Sequence, residues 1–221
     1  MITPPSSRHE RADRILDTAK DLLLRWGYRR ITVDELAKRA GVGKGTVYLH
    51  WRTREQVFHA VGTREAAAMT DAVADAIERE PGEVLLHRYA RRLFVEAMER
   101  PVLRAIFTRD TETLGAVLDN PARRPLEEAK LTASRESLAV LAAEGLLRDG
   151  LSPEDLDYVL PTVLFGFFGA EPLLPPTLEL TLEQKADHLA DVVRRSFEPP
   201  SAPGKRRVER AARKGTAILR Q

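Results

Sequence analysis

Apolar residues recur every three or four positions along most of the chain. The first such stripe comprises Ala12, Ile15, Leu16, Ala19, Leu22, Leu23 and Trp26. Similar stripes run through 86–97 and 156–167, and no window alternates between apolar and polar residues for long enough to indicate a strand. Because this period places the apolar side chains on one face of a helix, the chain is predicted to be all-α.

Capping residues and helix breakers set the expected helix boundaries. Thr32 with Glu35, and Thr181 with Gln184, match the capping box that begins a helix. Gly27, after the first apolar stripe, is typical of a helix end. The predicted helices span residues 8–26, 33–40, 44–50, 54–79, 83–99, 101–117, 121–145, 153–170 and 181–197.

The composition excludes several classes of protein. The 221 residues are 43% hydrophobic and 31% charged, which is too apolar for a disordered chain and too charged for a membrane bundle. The absence of cysteine excludes disulfides and thiolate metal sites, and the five histidines lack metal-ligand spacing. No hydrolase, Walker or dinucleotide motif is present, so we expect no enzyme, metal or cofactor. The N-terminus lacks an apolar signal core, which favours the cytoplasm.

Charge is divided unevenly along the chain. Residues 1–60 carry 12 basic and 7 acidic residues, a net charge of +5, whereas residues 61–198 carry 16 and 25, a net charge of −9. Residues 199–221 return to a net charge of +6, after a proline-rich break. A basic head on an acidic body favours a polyanion as the partner of the head. The terminal segment is predicted to be a basic, mobile tail that forms only transient helix, over 205–214.

Residues 31–58 fit a helix-turn-helix. The short predicted helix 33–40 ends at Gly41, and a tight turn leads into the second short helix, 44–50. Ala37 is small where the two helices must approach, and Val47 is apolar where the second helix must lock onto the first. In this motif the second helix enters the major groove of DNA.

The outward face of the second helix supplies the predicted DNA contacts. A lysine there can donate to guanine or to phosphate, a threonine methyl can meet a thymine methyl, and tyrosine and histidine suit phosphate oxygens. Thr32 and Arg54 flank the motif at helix starts. The candidate DNA-binding residues are Thr32, Gly43, Lys44, Gly45, Thr46, Tyr48, Leu49, His50 and Arg54.

These residues resemble the TetR family of bacterial transcriptional regulators. The resemblance is carried by Trp26-Gly27-Tyr28, by the 32–42 run and by the 43–51 segment GKGTVYLHW, within about residues 8–60. Gly43 stands where serine is common in the family, Trp51 where phenylalanine is usual and Arg54 where lysine is usual. The resemblance implies a homodimer with a ligand-responsive C-terminal domain.

The body, residues 61–198, is predicted to be a helical bundle that binds an effector and dimerises. Its apolar residues are numerous enough to form either a solid hydrophobic core or a core with a cavity for a small, mainly apolar ligand. The candidate ligand-binding residues are Leu93, Phe94, Met98, Ile106, Phe107, Phe165 and Phe168. The candidate dimer interface on helices 153–170 and 181–197 comprises Gly166, Gly169, Ala170, Leu189 and Val193. These two helices could instead close the core of the monomer.

The domains expected are therefore a helix-turn-helix domain at 8–60, with 54–79 as the linking helix, the body at 61–198 and the tail at 199–221. The function expected is a repressor that binds a palindromic operator on double-stranded DNA as a homodimer and responds to a ligand, with no membrane partner. The alternative is a helical effector-binding or adaptor protein without specific DNA binding. The basic head and the polar face of the second helix favour the regulator.

Overall fold

A computed structural model describes residues 8–115, 124–170, 174–175 and 177–220, and the regular elements among them are helical. The all-α prediction is confirmed. Short 3₁₀ helices at Tyr28–Arg30 and Pro81–Val84 precede α2 and α5. The α-helices are α1 (Arg8–Trp26), α2 (Val33–Arg39), α3 (Lys44–His50), α4 (Arg54–Arg79), α5 (Leu86–Glu99), α6 (Pro101–Phe107), α7 (Thr111–Leu114), α8 (Arg124–Ala143), α9 (Pro153–Gly169), α10 (Leu182–Phe197) and α11 (Lys205–Leu219). None of these described helices is long and apolar enough to cross a membrane.

The region predicted as one helix over 101–117 is two helices. The chain turns at Arg109, whose φ is 53°, and Asp110 then caps α7 by accepting hydrogen bonds from the amides of Glu112 and Thr113, both at 3.0 Å. An aspartate that binds nearby amides in this way competes with the continuation of a helix. The predicted end at 117 lies outside the described residues.

The chain divides into two compact units with a boundary that differs from the prediction. Unit 1 comprises residues 1–66 and 101–123, and unit 2 comprises residues 67–100 and 124–221. The prediction assigned 101–117 to the body. Val102, Ala105 and Leu114 instead join the buried core built on α1, α2 and α3, so α6 and α7 belong with the N-terminal helices.

Gly27 fixes the exit of α1 in unit 1. Its φ is 71°, in the left-handed region where glycine is the least strained residue. A Cβ at this position would lie 2.8 Å from the backbone oxygen of Glu112, which is closer than van der Waals contact. Both the backbone turn and the approach of α7 therefore require glycine here.

Unit 2 is built around α5 and α10. The inward face of α10 buries Ala186, Leu189, Val193 and Phe197, and the Phe94 ring of α5 lies 5.0 Å from the Phe168 ring of α9.

The prediction of a mobile tail is wrong for the described part of 199–221. Residues 205–219 form α11, which packs against the 3₁₀ helix at Pro81–Val84 and against α8. Its buried residues are Ala211, Ala212 and Gly215, and such small side chains do not produce a recognisable apolar stripe.

Candidate nucleic-acid interface

The turn between α2 and α3 is closed by a Schellman motif. The Val42 amide donates to the Ala37 carbonyl at 3.0 Å, and the Gly41 amide donates to the Lys38 carbonyl at 3.3 Å. This pairing requires a left-handed residue just beyond the helix, and Gly41 has a φ of 65°. At the other end of α2, the Thr32 hydroxyl accepts from the Glu35 amide at 3.2 Å. The short helix is thus capped at both ends.

Buried contacts fix α3 against the rest of unit 1. Val47 of α3 is buried, as are Leu36 and Ala37 of α2. The Arg14 guanidinium of α1 donates to the Ala40 carbonyl at 3.0 Å and ties the end of α2 to α1. As predicted, Val47 locks α3 onto the core and Ala37 is a small residue in a buried position.

The side of α3 opposite Val47 is open. Leu49 is 75% exposed and Tyr48 is 44% exposed. A Cβ built on Gly45, one turn before Leu49, would meet no atom within 4 Å. Gly43 is the N-cap residue of α3 and provides no side-chain cap, in keeping with its departure from serine. Apart from the buried Val47, residues 43–49 therefore present an open ridge that ends in a large exposed apolar side chain, Leu49.

Lys44, at the start of this ridge, forms an ion pair that the sequence did not indicate. Its Nζ lies 2.9 Å from Oδ2 of Asp34 in α2. The hydrogen bond and the charge of Asp34 raise the pKa of Lys44 above its ordinary value. Lys44 is therefore positively charged at neutral pH and already has an anionic neighbour.

His50 ends α3 in a partly enclosed position. Its ring lies 5.3 Å from that of Trp51. Burial, and then the charges of Arg8, Arg11 and His9, lower the pKa of His50 below its ordinary value. The imidazole is therefore mainly neutral at pH 7 and can donate one hydrogen bond, for example to a phosphate oxygen.

The charges that act on His50 identify basic residues that sequence reasoning missed. Arg8, His9 and Arg11 lie in the first turn of α1 and are close enough to lower the pKa of His50. They lie about 40 positions earlier in the sequence, and no periodic pattern could link them to α3. The start of α1 thus adds positive charge beside the ridge of α3.

Arg54 has an intramolecular role that the prediction did not include. Its Nη1 donates to the Ile31 carbonyl at 2.7 Å, and its guanidinium carbon lies 4.1 Å from the centroid of the Tyr28 ring. The Tyr28 hydroxyl donates to Glu55 at 2.6 Å. This hydrogen bond lowers the pKa of Glu55, and burial is the main cause of the raised pKa of Tyr28. Arg54 thus links α4 to the segment before α2.

The residues predicted to bind a ligand are divided between the two units. Ile106 and Phe107 belong to unit 1, where Ile106 packs on the buried core, whereas the other five belong to unit 2. Phe94, Met98 and Phe168 are buried. A groove of about 370 Å³ in unit 2 is instead polar, and Glu80, Glu83, Arg88, Arg91 and Arg92 line it. Three of the predicted residues therefore lie in the core of unit 2, whereas Leu93 is half-buried and Phe165 is exposed.

The prediction that Leu189 and Val193 lie in the dimer interface is wrong. Leu189 and Val193 are fully buried within unit 2, where α10 packs along α5, so they cannot contact a second subunit. Gly166 and Gly169 of α9 are exposed, and Ala170 is half-buried. The large exposed apolar residues of these two helices are Tyr158, Val159, Phe165 and Val192.

A capped two-helix unit with an open, polar second helix, set in an all-α chain, defines a helix-turn-helix protein. The family model of bacterial regulatory proteins, tetR family, matches residues 15–61. Residues 15–61 thus carry the N-terminal domain of TetR-family transcriptional regulators, which confirms the resemblance found in the sequence. This family consists of DNA-binding proteins that are not enzymes.

Similar proteins extend the comparison beyond the N-terminal unit. The HTH-type transcriptional regulator YvkB of Bacillus subtilis is 24% identical over 155 residues, which are 70% of this chain and 79% of that protein. Other curated regulators match over 36% to 64% of their own length.

Solved structures share the fold. NalD, the secondary repressor of the MexAB-OprM multidrug efflux pump in Pseudomonas aeruginosa, has a TM-score of 0.61 at 18% identity, over 88% of this chain and 98% of that one. A putative transcriptional regulator from Saccharomonospora viridis in complex with choline has a TM-score of 0.60 at 19% identity, over 86% and 99%.

Proposed function

We propose that the chain is a cytoplasmic repressor that binds a palindromic operator as a homodimer through α3 and leaves it when a small, mainly apolar effector binds. The open ridge of α3 carries this proposal. Gly45 and Leu49 lie opposite the buried Val47, which fixes the helix to the core. A leucine that is 75% exposed on a helix held in this way is suited to contacting another molecule. The major groove of DNA admits a helix of this kind.

The ridge residues have separate roles in this proposal. Lys44 donates to guanine O6 or N7, while Leu49 and the Thr46 methyl group contact thymine methyl groups. Tyr48, His50 and Thr32 donate to phosphate oxygens and set the register without reading sequence. Gly43 and Gly45 let the backbone approach the DNA. Arg54 acts by positioning α4 rather than by a direct contact, because its guanidinium already binds the Ile31 carbonyl.

The homodimer rests on the exposed face of α9. Phe165 is 59% exposed, and built Cβ atoms on Gly166 and Gly169 meet nothing within 4 Å, so a second helix could approach closely. Two α9 helices and two α10 helices would form a four-helix seam with two-fold symmetry. The two α3 helices would then engage half-sites about 34–36 Å apart.

The effector is proposed to act in unit 2, where Phe94, Phe167 and Phe168 form an aromatic cluster. A mainly apolar ligand that separates these rings would gain contact with their faces. The structural neighbour in complex with choline and the neighbour described as a gamma-butyrolactone receptor suggest two ligands for a first test.

The operator experiment is selection of bound fragments from a pool of random duplexes, followed by binding measurements. We expect a two-fold symmetric consensus. Lys44→Ala and Thr46→Ala should relax the preference at particular base pairs by about 1–3 kcal/mol, whereas Tyr48→Phe should weaken all sequences alike. Leu24→Ala, which trims an exposed leucine of α1, is the matched control. Failure to enrich any sequence would contradict specific DNA binding and favour the adaptor alternative.

Two further measurements test the partners. Sedimentation of Phe165→Asp should give a monomer if α9 forms the seam, and a dimer that persists would contradict this interface.

Operator affinity should fall when an effector such as choline or a γ-butyrolactone is added, and Phe94→Trp should weaken that response while leaving operator binding nearly unchanged. Equal affinity across a broad panel of small molecules would contradict the effector role.

A further inference from the structure

We propose that Asp34 limits the binding of non-specific DNA by holding Lys44 in an ion pair that a phosphate must break. This inference rests on the proposed function of α3. It adds a specificity-determining residue that makes no attractive contact with DNA itself.

The position of Asp34 is unexpected for a DNA-facing unit. Its carboxylate is 69% exposed and lies 2.9 Å from Lys44 Nζ, which is itself 50% exposed. An exposed carboxylate beside the ridge repels the phosphate backbone and therefore opposes binding. Asp34 is the second residue of α2, and the caps and the Schellman motif of α2 do not use its side chain.

Competition between the carboxylate and phosphate follows from this geometry. A phosphate oxygen that approaches Lys44 offers the same charge-assisted hydrogen bond that Asp34 already provides. The net gain in binding free energy from the phosphate contact is therefore small. Fewer counterions are released from the DNA than if Lys44 had no anionic partner. Since non-specific affinity comes almost entirely from phosphate contacts, the ion pair weakens it directly.

Specific DNA offers Lys44 a different exchange. Guanine presents two acceptors, O6 and N7, in the major groove. When Lys44 turns toward them, these two acceptors replace the hydrogen bond that Asp34 provided. The cost of breaking the ion pair is then repaid only at the correct sequence. Asp34 thus widens the difference between operator and random DNA.

The neighbouring residue provides a matched control. Glu35 follows Asp34 in α2 but binds Arg39, with Nε at 2.6 Å from Oε1, and makes no hydrogen bond to Lys44 in the described structure. The Arg39 guanidinium also lies 4.4 Å from the centroid of the Trp26 ring and keeps that contact when Glu35 is neutral. Glu35→Gln therefore removes the same charge from the same turn without releasing Lys44.

The experiment measures binding of a labelled random-sequence duplex by fluorescence anisotropy over a range of salt concentrations. The proteins are wild type, Asp34→Asn, Glu35→Gln, Lys44→Ala and Asp34→Asn/Lys44→Ala, each checked by thermal melting. Asp34→Asn should bind roughly two- to fivefold more tightly than wild type. Its plot of log K against log salt should be steeper by about 0.9, the value for one more neutralised phosphate. Glu35→Gln should change both quantities less.

The double variant decides whether Asp34 acts through Lys44. In the Lys44→Ala background, Asp34→Asn should have little effect. An equal gain in both backgrounds would show that Asp34 acts by general repulsion and would overturn the proposal, as would unchanged binding by Asp34→Asn. If wild type binds no DNA even at low salt, the proposed function fails and this inference fails with it. Normal binding with no effect of Asp34→Asn leaves the proposed function standing.

Discussion

Helices α10 and α11 are both amphipathic and both belong to unit 2, but different forces hold them in place. The inner face of α10 buries Leu189, Val193 and Phe197 against the unit 2 core. The inner face of α11 buries only alanine and glycine. Its larger apolar residues, Val208, Ile218 and Leu219, are only half-buried. Ion pairs add further attachments: Arg210 Nε and Lys214 Nζ bind Glu144 at 2.9 and 3.0 Å.

This difference predicts two kinds of stability within one unit. Burial of large apolar side chains contributes about 1.5–3 kcal/mol each and depends little on salt. Ion pairs with exposed partners contribute much less and weaken as salt screens them. We therefore expect α10 to unfold only with the whole unit, whereas α11 can open locally at lower cost.

The largest effect is expected for Leu189→Ala in α10. Leu189 is fully buried, so the substitution leaves a cavity and should lower the free energy of unfolding by about 2–5 kcal/mol. Val192→Ala, in the same helix but partly exposed, should change it by less than about 0.5 kcal/mol. Denaturant titration measures both. Similar values for the two variants would mean that α10 does not hold unit 2 together.

A smaller effect is expected at the start of α10. The Thr181 hydroxyl accepts from the Gln184 amide at 3.2 Å, and the Gln184 side chain accepts from the Thr181 amide at 2.8 Å. Thr181→Ala removes half of this capping box and should cost about 1 kcal/mol. Thr181→Ser keeps the hydroxyl and should restore the wild-type midpoint of denaturation. If serine failed to do so, the threonine methyl group would be the stabilising part.

The matching change for α11 is Glu144→Gln, which removes the shared anion of Arg210 and Lys214. We expect faster amide exchange throughout 205–219, unchanged exchange in α10 and a Tm only a few degrees lower. Glu136→Gln, at an exposed position of α8, is the control. A loss as large as that of Leu189→Ala would show that α11 and α10 form one cooperative unit.

Acid should reduce the contribution of Glu144. Hydrogen bonds from Arg210, and then from Lys214, lower the pKa of Glu144 below its ordinary value of 4.5. Its stabilising effect is therefore fully present above pH 4.5 and is lost as the pH falls through the lowered value. The difference in Tm between wild type and Glu144→Gln should accordingly shrink in acid. A difference that stayed constant would mean that charge is not what Glu144 contributes.

The contrast between these helices also explains which elements the sequence could predict. Helix α10 and the helix-turn-helix follow from apolar spacing, from caps such as Thr32 and from Gly41, which are local signals. The packing of α11 depends on Ala211, Ala212 and on partners more than 60 positions away, such as Glu144. The break before α7 was missed because Asp110 in the middle of a predicted helix gave no sign that it would act as a cap.

The candidate site also has features that local sequence predicts and features that depend on tertiary packing. The sequence prediction placed Val47 inward and Lys44 and Tyr48 outward, as they are in the structure, because residues of one short helix share a fixed geometry. The intramolecular partners of Lys44 and Arg54 could not be predicted, because Asp34 and Ile31 approach them only through tertiary packing. The sequence thus predicted which side of α3 is open but not the intramolecular contacts that restrain Lys44 and Arg54.

The smallest effect is expected for Arg220→Ala, just beyond the end of α11. Arg220 binds Asp71 at 3.0 Å and also binds Asp75, but its side chain and both carboxylates are exposed. Water solvates the separated charges about as well as an exposed ion pair stabilises them, so the global Tm should not change measurably. Exchange should accelerate only for the last turn of α11, and the difference from wild type should vanish at high salt. Faster exchange along the whole of 205–219 would show instead that Arg220 anchors the helix and that its attachment depends on its end rather than on Glu144.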